Sequence, residues 1–238
     1  MSNLFHSIAL VLLSVGDSQA QSLVVNGGFE QLTSCPQYVG DIDRARGWNN
    51  GELTPDLFST CTNGRENGLN VPDNYVGFQH PAVGQCYAGI ALFSEKKHLS
   101  TRKSYEVTES IWTQLATPLR PGKTYRFSVL LALADSSVFT SQYLTPVLSK
   151  VPFNRVGKRE TGQALLLHTA AVDTAWREVS VTFTATDRWA YLSLGLSREV
   201  FTLKAYKDRL TRRRTGVANQ GEAVAYYYVD EVELLESK

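Results

Sequence analysis

The chain has 238 residues, of which 43% are hydrophobic, 20% charged and 11% aromatic, a composition that buries a core and excludes a disordered or collagen-like polymer. Lys and Arg number 24 against 23 Asp and Glu, for a net charge of +1, so no overall field points to nucleic acid as a partner. The length suits one large β-sandwich or two small domains.

Residues 1–20 read as an export signal. An apolar run at 4–15 (LFHSIALVLLSV) has the length of a signal core and is followed by the small-residue pattern Ser18-Gln19-Ala20, with cleavage expected after Ala20. The opening MSN carries no Lys or Arg, so a misassigned start or a core segment is the competing reading. The leader holds only Asp17 among charged residues, and its removal leaves 24 basic and 22 acidic residues, a charge of +2. The run is too short to span a bilayer, and no other segment approaches about 18 consecutive apolar residues. No Cys follows the leader for lipid attachment. The expectation is a soluble exported protein with one domain, 21–238, and no membrane span.

Beyond the leader, β-rich segments with turn signals between them occupy 22–26, 29–32, 87–93, 110–116, 124–134, 164–168, 177–185, 190–196 and 225–234, an all-β pattern. Apolar residues alternate in TYRFSVLLALAD (Tyr125, Phe127, Val129, Leu131, Leu133) and in WREVSVTFTA (Val179, Val181, Phe183), which predicts one buried face per strand. Pro121-Gly122 marks a tight turn between two of them. Two stretches look poor in strands. Residues 33–85 are rich in Asn, Gly, Pro and Asp yet carry Trp48, Phe58, Tyr75 and Phe78, which predicts an ordered, decorated loop region packed on the sandwich. Residues 198–222 are strongly basic, and 200–214 is the best helical candidate, expected as a loop or short helix at an edge.

Export makes the three cysteines candidates for disulfides, and an odd number leaves one over. Cys35 and Cys61 lie in loop-like sequence and Cys86 before the strand-like YAGIALF. This favours a Cys35–Cys61 bridge with Cys86 buried; three free thiols are the alternative. No CxxC spacing suits zinc.

The mature chain opens LVVNGGFE (23–30) and closes AYYYVDEVEL (225–234), with Gly47-Trp48 and WREVSVTFTAT (176–186) between. In these segments it resembles galactose-binding-like jelly rolls of the carbohydrate-binding-module type, across almost the whole mature chain. The series SCP, GW, TPDLF, VPDNYVGFQ, GQCYAGI, PLRPGKTYRFSVLLALADSS and YYYVDEVEL is more closely similar to an exported domain often joined to OmpA-type peptidoglycan-binding domains in Gram-negative envelope proteins. Three positions depart from that pattern: Glu231 where a second Asp is usual, Leu57 where an aromatic is usual, and Cys86 where a small residue is common. The resemblance implies a jelly-roll β-sandwich of two antiparallel sheets, and a secreted, periplasmic or surface location. It also implies a structural Ca²⁺ near the paired chain ends, with Glu30 and Asp230 as ligands and Asn26 and Glu231 behind them. Two carboxylates with backbone carbonyls match the hard-oxygen preference of that ion; a turn cap or a pairing with Arg is the other meaning of such acids.

Sugar binding needs aromatic faces to stack on pyranose rings and polar side chains to grip hydroxyls. The candidates are Trp48, Asp56, Asn74, Tyr75, Gln79, Tyr87 and Asp135; core packing competes with stacking for Trp48 and Phe78. His80, His98 and His168 sit in no nucleophile motif, and GxSxG, HExxH and phosphate loops are absent. The favoured function is therefore a non-catalytic module for a carbohydrate or envelope glycan. A surface adaptor that binds another envelope protein and a glycan-active hydrolase are the alternatives.

Overall fold

The computed structural model describes residues 21–97, 104–153, 162–169, 173–195, 210–212 and 223–237. The expected signal segment and most of the basic stretch 198–222 lie outside them. The strands, in chain order, are β1 (Trp48–Glu52), β2 (Asp56–Ser59), β3 (Asp73–Asn74), β4 (Gly77–Phe78), β5 (Cys86–Lys97), β6 (Ser104–Val107), β7 (Ser110–Gln114), β8 (Thr124–Leu133), β9 (Phe139–Ser141), β10 (Tyr143–Leu144), β11 (Val147–Ser149), β12 (Gln163–Ala164), β13 (Leu167–His168), β14 (Arg177–Thr184), β15 (Tyr191–Gly195), β16 (Leu210–Arg212) and β17 (Ala223–Glu236).

Two antiparallel sheets form a jelly-roll sandwich. One runs β1-β7-β15-β11-β12, the other β14-β8-β17-β5-β2 with β6 beside β5. Between them lies the main core, built from Trp48, Ile111, Leu148, Leu192 and Leu194 on one side and Leu57, Ile90, Leu92, Val129, Leu131, Tyr227 and Val229 on the other. The two-residue period of a strand explains which residues enter it. In β17, Tyr227 and Val229 face this core, whereas Tyr226 and Tyr228 belong to a second cluster with Phe58, Tyr87, Ala91 and Ala132. Leu69, Val71 and Val76 cover that second cluster. The larger sheet is thus buried on both faces at its centre, a departure from the single buried face that alternation predicts. The aromatic residues on its outer face need cover, and the 63–80 segment supplies it.

Several strand boundaries differ from the sequence reading. Residues 22–26 and 29–32 form isolated bridges, Val24 with Leu115 and Leu32 with Ala45, because Asn26 and Phe29 take left-handed φ of 58° and 61°, which breaks an extended run. Residues 164–168 split between β12 and β13. Conversely β1, β2, β3 and β4 lie in the region expected to be poor in strands, where Asn, Gly and Pro mask short pairings. Residues 210–212, inside the proposed helical stretch, pair as β16 with β9.

Candidate functional site

The outer face of the larger sheet carries a hydrogen-bonded aromatic assembly. Its centre is Asp56, at the start of β2 and buried. Asp56 Oδ2 accepts the hydroxyls of Tyr75 and Tyr226, and Oδ1 accepts the Gly40 N–H at 2.8 Å. Burial pushes the Asp56 carboxyl above its usual range, outweighing these three donors. The same surroundings hold the Tyr75 and Tyr226 phenols neutral, through burial first and the adjacent Asp56 second.

A second knot lies beside it. The Asn74 Nδ2 donates to Tyr87 Oη at 3.1 Å, and Asn74 Oδ1 accepts the Tyr228 hydroxyl at 2.9 Å. Tyr87 donates in turn to the Gln79 carbonyl at 3.0 Å. Phe58 joins the two knots, with its ring centroid 5.2 Å from Tyr87, 5.6 Å from Tyr228 and 6.1 Å from Tyr75. The β3–β4 hairpin is thereby bolted to the sheet, and its outer surface presents Tyr75, 48% exposed, and Phe78, 58% exposed. Asp135 anchors its far strand by accepting the Phe78 N–H at 2.8 Å. Gly77, with φ of 154°, lies against the Asp135 carboxylate and leaves no room for a Cβ. The Phe78 ring meets His80 edge-on at 5.4 Å, and the Trp176 indole N–H donates to the His80 carbonyl at 2.8 Å.

Of the predicted ligand residues, Tyr75 and Asp135 reach solvent and Asn74 is half-buried, whereas Asp56, Gln79 and Tyr87 are buried beneath them. Two of the aromatic assignments need correction. Trp48, 2% exposed, packs 4.9 Å from Phe29 and donates its indole N–H to the Asn26 carbonyl at 2.8 Å, so it braces the core and offers no face to a ligand. Tyr87 has its ring enclosed and its hydroxyl committed, so it supports the platform from below. Sequence reasoning missed Tyr226, Tyr228 and Trp176. Three consecutive tyrosines in a strand did carry a signal, because residues i and i+2 share a face.

Glu109, also missed, is a buried acid close enough to Asp56 for that carboxylate to add to the rise of its pKa. Its Oε2 accepts the Ala91 N–H at 2.8 Å, and the Thr54 hydroxyl donates to Oε1 at 3.2 Å. Burial, the largest cause, pushes its carboxyl from 4.5 to about 7.

The paired chain ends form a clasp. The Leu23 N–H donates to the Leu234 carbonyl at 2.8 Å and the Val232 N–H to the Gly27 carbonyl at 3.0 Å. Glu30 Oε1 accepts the Gln85 and Cys86 N–H groups, each at 2.8 Å; Asp230 Oδ2 accepts those of Ala82 and Val83 at 3.0 and 3.3 Å. Both acids therefore grip one segment, 82–86. The Asp230 carboxyl is pushed up to about 7 by burial, with Glu231 adding to the rise. The Asn26 amide is spent on the Gln31 and Arg46 backbone, so it is a turn brace and no free ligand. Among the described residues, no three His, Cys, Asp or Glu side chains gather into a ready metal cluster, and none of Glu30, Asp230 and Glu231 has an ion-paired Lys or Arg.

The raised acids imply a pH dependence with a defined sign. Glu109 and Asp230 keep their protons in the fold up to about pH 7 and release them near their ordinary values, roughly 4, when unfolded. The native state binds more protons across that interval, so stability falls as pH rises from about 4.5 to 7 and levels off above. Urea unfolding across this range should show the decline, and Glu109→Gln should flatten it; stability that rises with pH through the same window would refute the assignment.

The bridge predicted between Cys35 and Cys61 is present, and Cys86 is free and buried. Burial raises the Cys86 thiol to about 11, where it is a poor nucleophile. Among the described residues, no helix is long and apolar enough to cross a membrane.

No family model matches the chain, and no curated protein matches it by sequence. Among solved structures it is similar to the CBM22-1 xylan-binding domain from Paenibacillus barcinonensis, at 11% identity and TM-score 0.44, over 92% of this chain and 96% of that one. The CBM22-1 and GH10 modules of a Clostridium thermocellum endo-1,4-β-D-xylanase, complexed with xylohexaose, align at 13% identity and TM-score 0.43, over 92% of this chain. The enzymatically active domain of a bacteriophage CBA120 tailspike protein aligns at 7% identity and TM-score 0.42, over 91% of this chain. The chain spans 29% of that xylanase structure and 21% of the tailspike. Likenesses this distant carry no inference about this chain.

Proposed function

We propose that the protein is a non-catalytic glycan-binding module whose platform is the outer surface of the β3–β4 hairpin. The observation that carries this reading is Tyr75, whose ring is half-exposed while its hydroxyl is pinned to a buried carboxylate. A rigid exposed ring stacks on a sugar face at little entropic cost. Phe78 extends the platform, and exposed Asp135 flanks it with a carboxylate that can accept hydroxyls. On a glycan array, Tyr75→Ala and Phe78→Ala are each expected to weaken a reproducible hit about tenfold, or about 1.4 kcal/mol. Hits that survive both substitutions would sink the reading.

The envelope setting belongs to the same proposal: export by the 1–20 segment and a glycan of the cell envelope as ligand. Calcium belongs to it as well. Glu30 and Asp230 would hold the ion, with hard oxygens of the kind it takes, and Glu231 nearby adds negative charge. Bound to the native state alone, Ca²⁺ would add about 2.7 kcal/mol at a hundredfold excess over Kd. A melting temperature unmoved by both EDTA and added Ca²⁺ would refute it.

An adaptor role is the second reading, favoured by an apolar edge of Tyr38, 71% exposed, with Val39 and Leu53 also exposed. Silence on the array together with a co-purifying envelope protein would select it, and turnover of an arrayed glycan would replace both readings with an enzyme.

A further inference from the structure

We propose that the hairpin platform accepts neutral glycans and rejects acidic ones, an inference that rests on the glycan-binding reading above. Two exposed carboxylates adjoin Phe78. Asp73 is its cross-strand partner in the β3–β4 register, and both residues are exposed; residues directly opposite in an antiparallel pair project from one face with Cβ atoms about 5 Å apart. Exposed Asp135 sits against the Phe78 backbone, one oxygen 2.8 Å from its N–H. Asp56 lies under Tyr75. Arg177, next to Trp176 in the chain, is engaged by Asp173 at 2.9 Å.

For a neutral sugar these acids are an asset, because carboxylates are strong acceptors for hydroxyl groups. For a uronate or sulfate stacked on Phe78 they place two like charges within several ångströms, and such juxtaposition is the usual device by which a site turns a competitor away. Because Asp73 and Asp135 are exposed, the repulsion must be screened by salt within a Debye length of about 10 Å at 0.1 M. Salt sensitivity therefore distinguishes it from a simple misfit of shape.

The test uses the full chain on an array that carries neutral, uronic-acid and sulfated versions of the same backbones, read at low and at high salt. The expected result is that acidic versions bind about tenfold more weakly than neutral ones at low salt. The gap should narrow at high salt and in Asp73→Asn and Asp135→Asn; the latter keeps an amide oxygen that can still accept the Phe78 N–H. The readout is the ratio of acidic to neutral binding within each variant, which a general loss of fold does not mimic. Acidic glycans bound as tightly as their neutral counterparts, or a gap indifferent to salt and to both substitutions, would overturn the inference and leave the glycan reading standing. Absence of binding to every glycan would overturn both.

Discussion

Asp56→Ala is expected to lower stability by about 2–4 kcal/mol and to abolish whatever the hairpin platform binds. The substitution strands the Tyr226 hydroxyl and the Gly40 N–H, which share Asp56 as acceptor with Tyr75. A buried donor left unpaired costs about 1–3 kcal/mol. Tyr226 is buried, so its hydroxyl has no water to turn to, whereas half-exposed Tyr75 has. Relief from burying the Asp56 carboxyl offsets part of the loss, since burial already pushes that group towards its neutral form. For a chain of this size each kcal/mol corresponds to about 2–4 °C of melting temperature. Asp56→Asn keeps one acceptor oxygen and should recover part of the stability. Tyr75→Phe removes one hydroxyl from the knot and keeps the ring, so it should cost least. An Asp56→Ala protein that melts with the native one and keeps its ligand would show that the knot neither stabilises the fold nor positions Tyr75.

Loss of the Cys35–Cys61 bridge is the second large effect. The cysteines are 26 residues apart, and closing a loop of that length removes about 3–4 kcal/mol of unfolded-chain entropy in the chain-entropy description. What else holds the loop is short: the five residues of β1, the four of β2 and a 3₁₀ turn at Ile42–Arg44. The bridge also sits where it matters to the platform. Cys61 begins the segment in which the Asn67 amide donates to the Pro36 carbonyl at 3.4 Å and Gly68 packs against the Tyr75 side chain. Reduction should therefore loosen the 33–41 and 61–70 segments first and weaken binding before the sandwich melts. Hydrogen exchange with and without reductant would show this order. Mass spectrometry of a non-reduced digest checks the pairing itself, and Cys86 should resist alkylation until the protein unfolds. Simultaneous melting of loops and sandwich, or Cys86 labelled in the native state, would contradict it.

The all-β class, the long strands β5, β8, β14 and β17, and the cysteine pairing were legible in the amino-acid sequence. Each rests on a local rule: alternation of apolar residues, turn chemistry at Pro121-Gly122, and the placement of Cys35 and Cys61 in polar segments. The pairing of the chain ends was implied by the resemblance, but the hold of Glu30 and Asp230 on segment 82–86 was not legible. Strands of two to five residues escaped because so short a run carries no period. Tertiary structure alone decided which aromatic residues meet solvent. Trp48 and Phe78 have the same surroundings in sequence, Gly-rich and polar, yet one fills the sandwich core and the other stands on a hairpin. The face a residue presents depends on the register of its strand and on what packs over it. For Asp56, Glu109, Tyr75 and Tyr226, far apart along the chain, the meeting exists only once β2, β5 and β17 have paired.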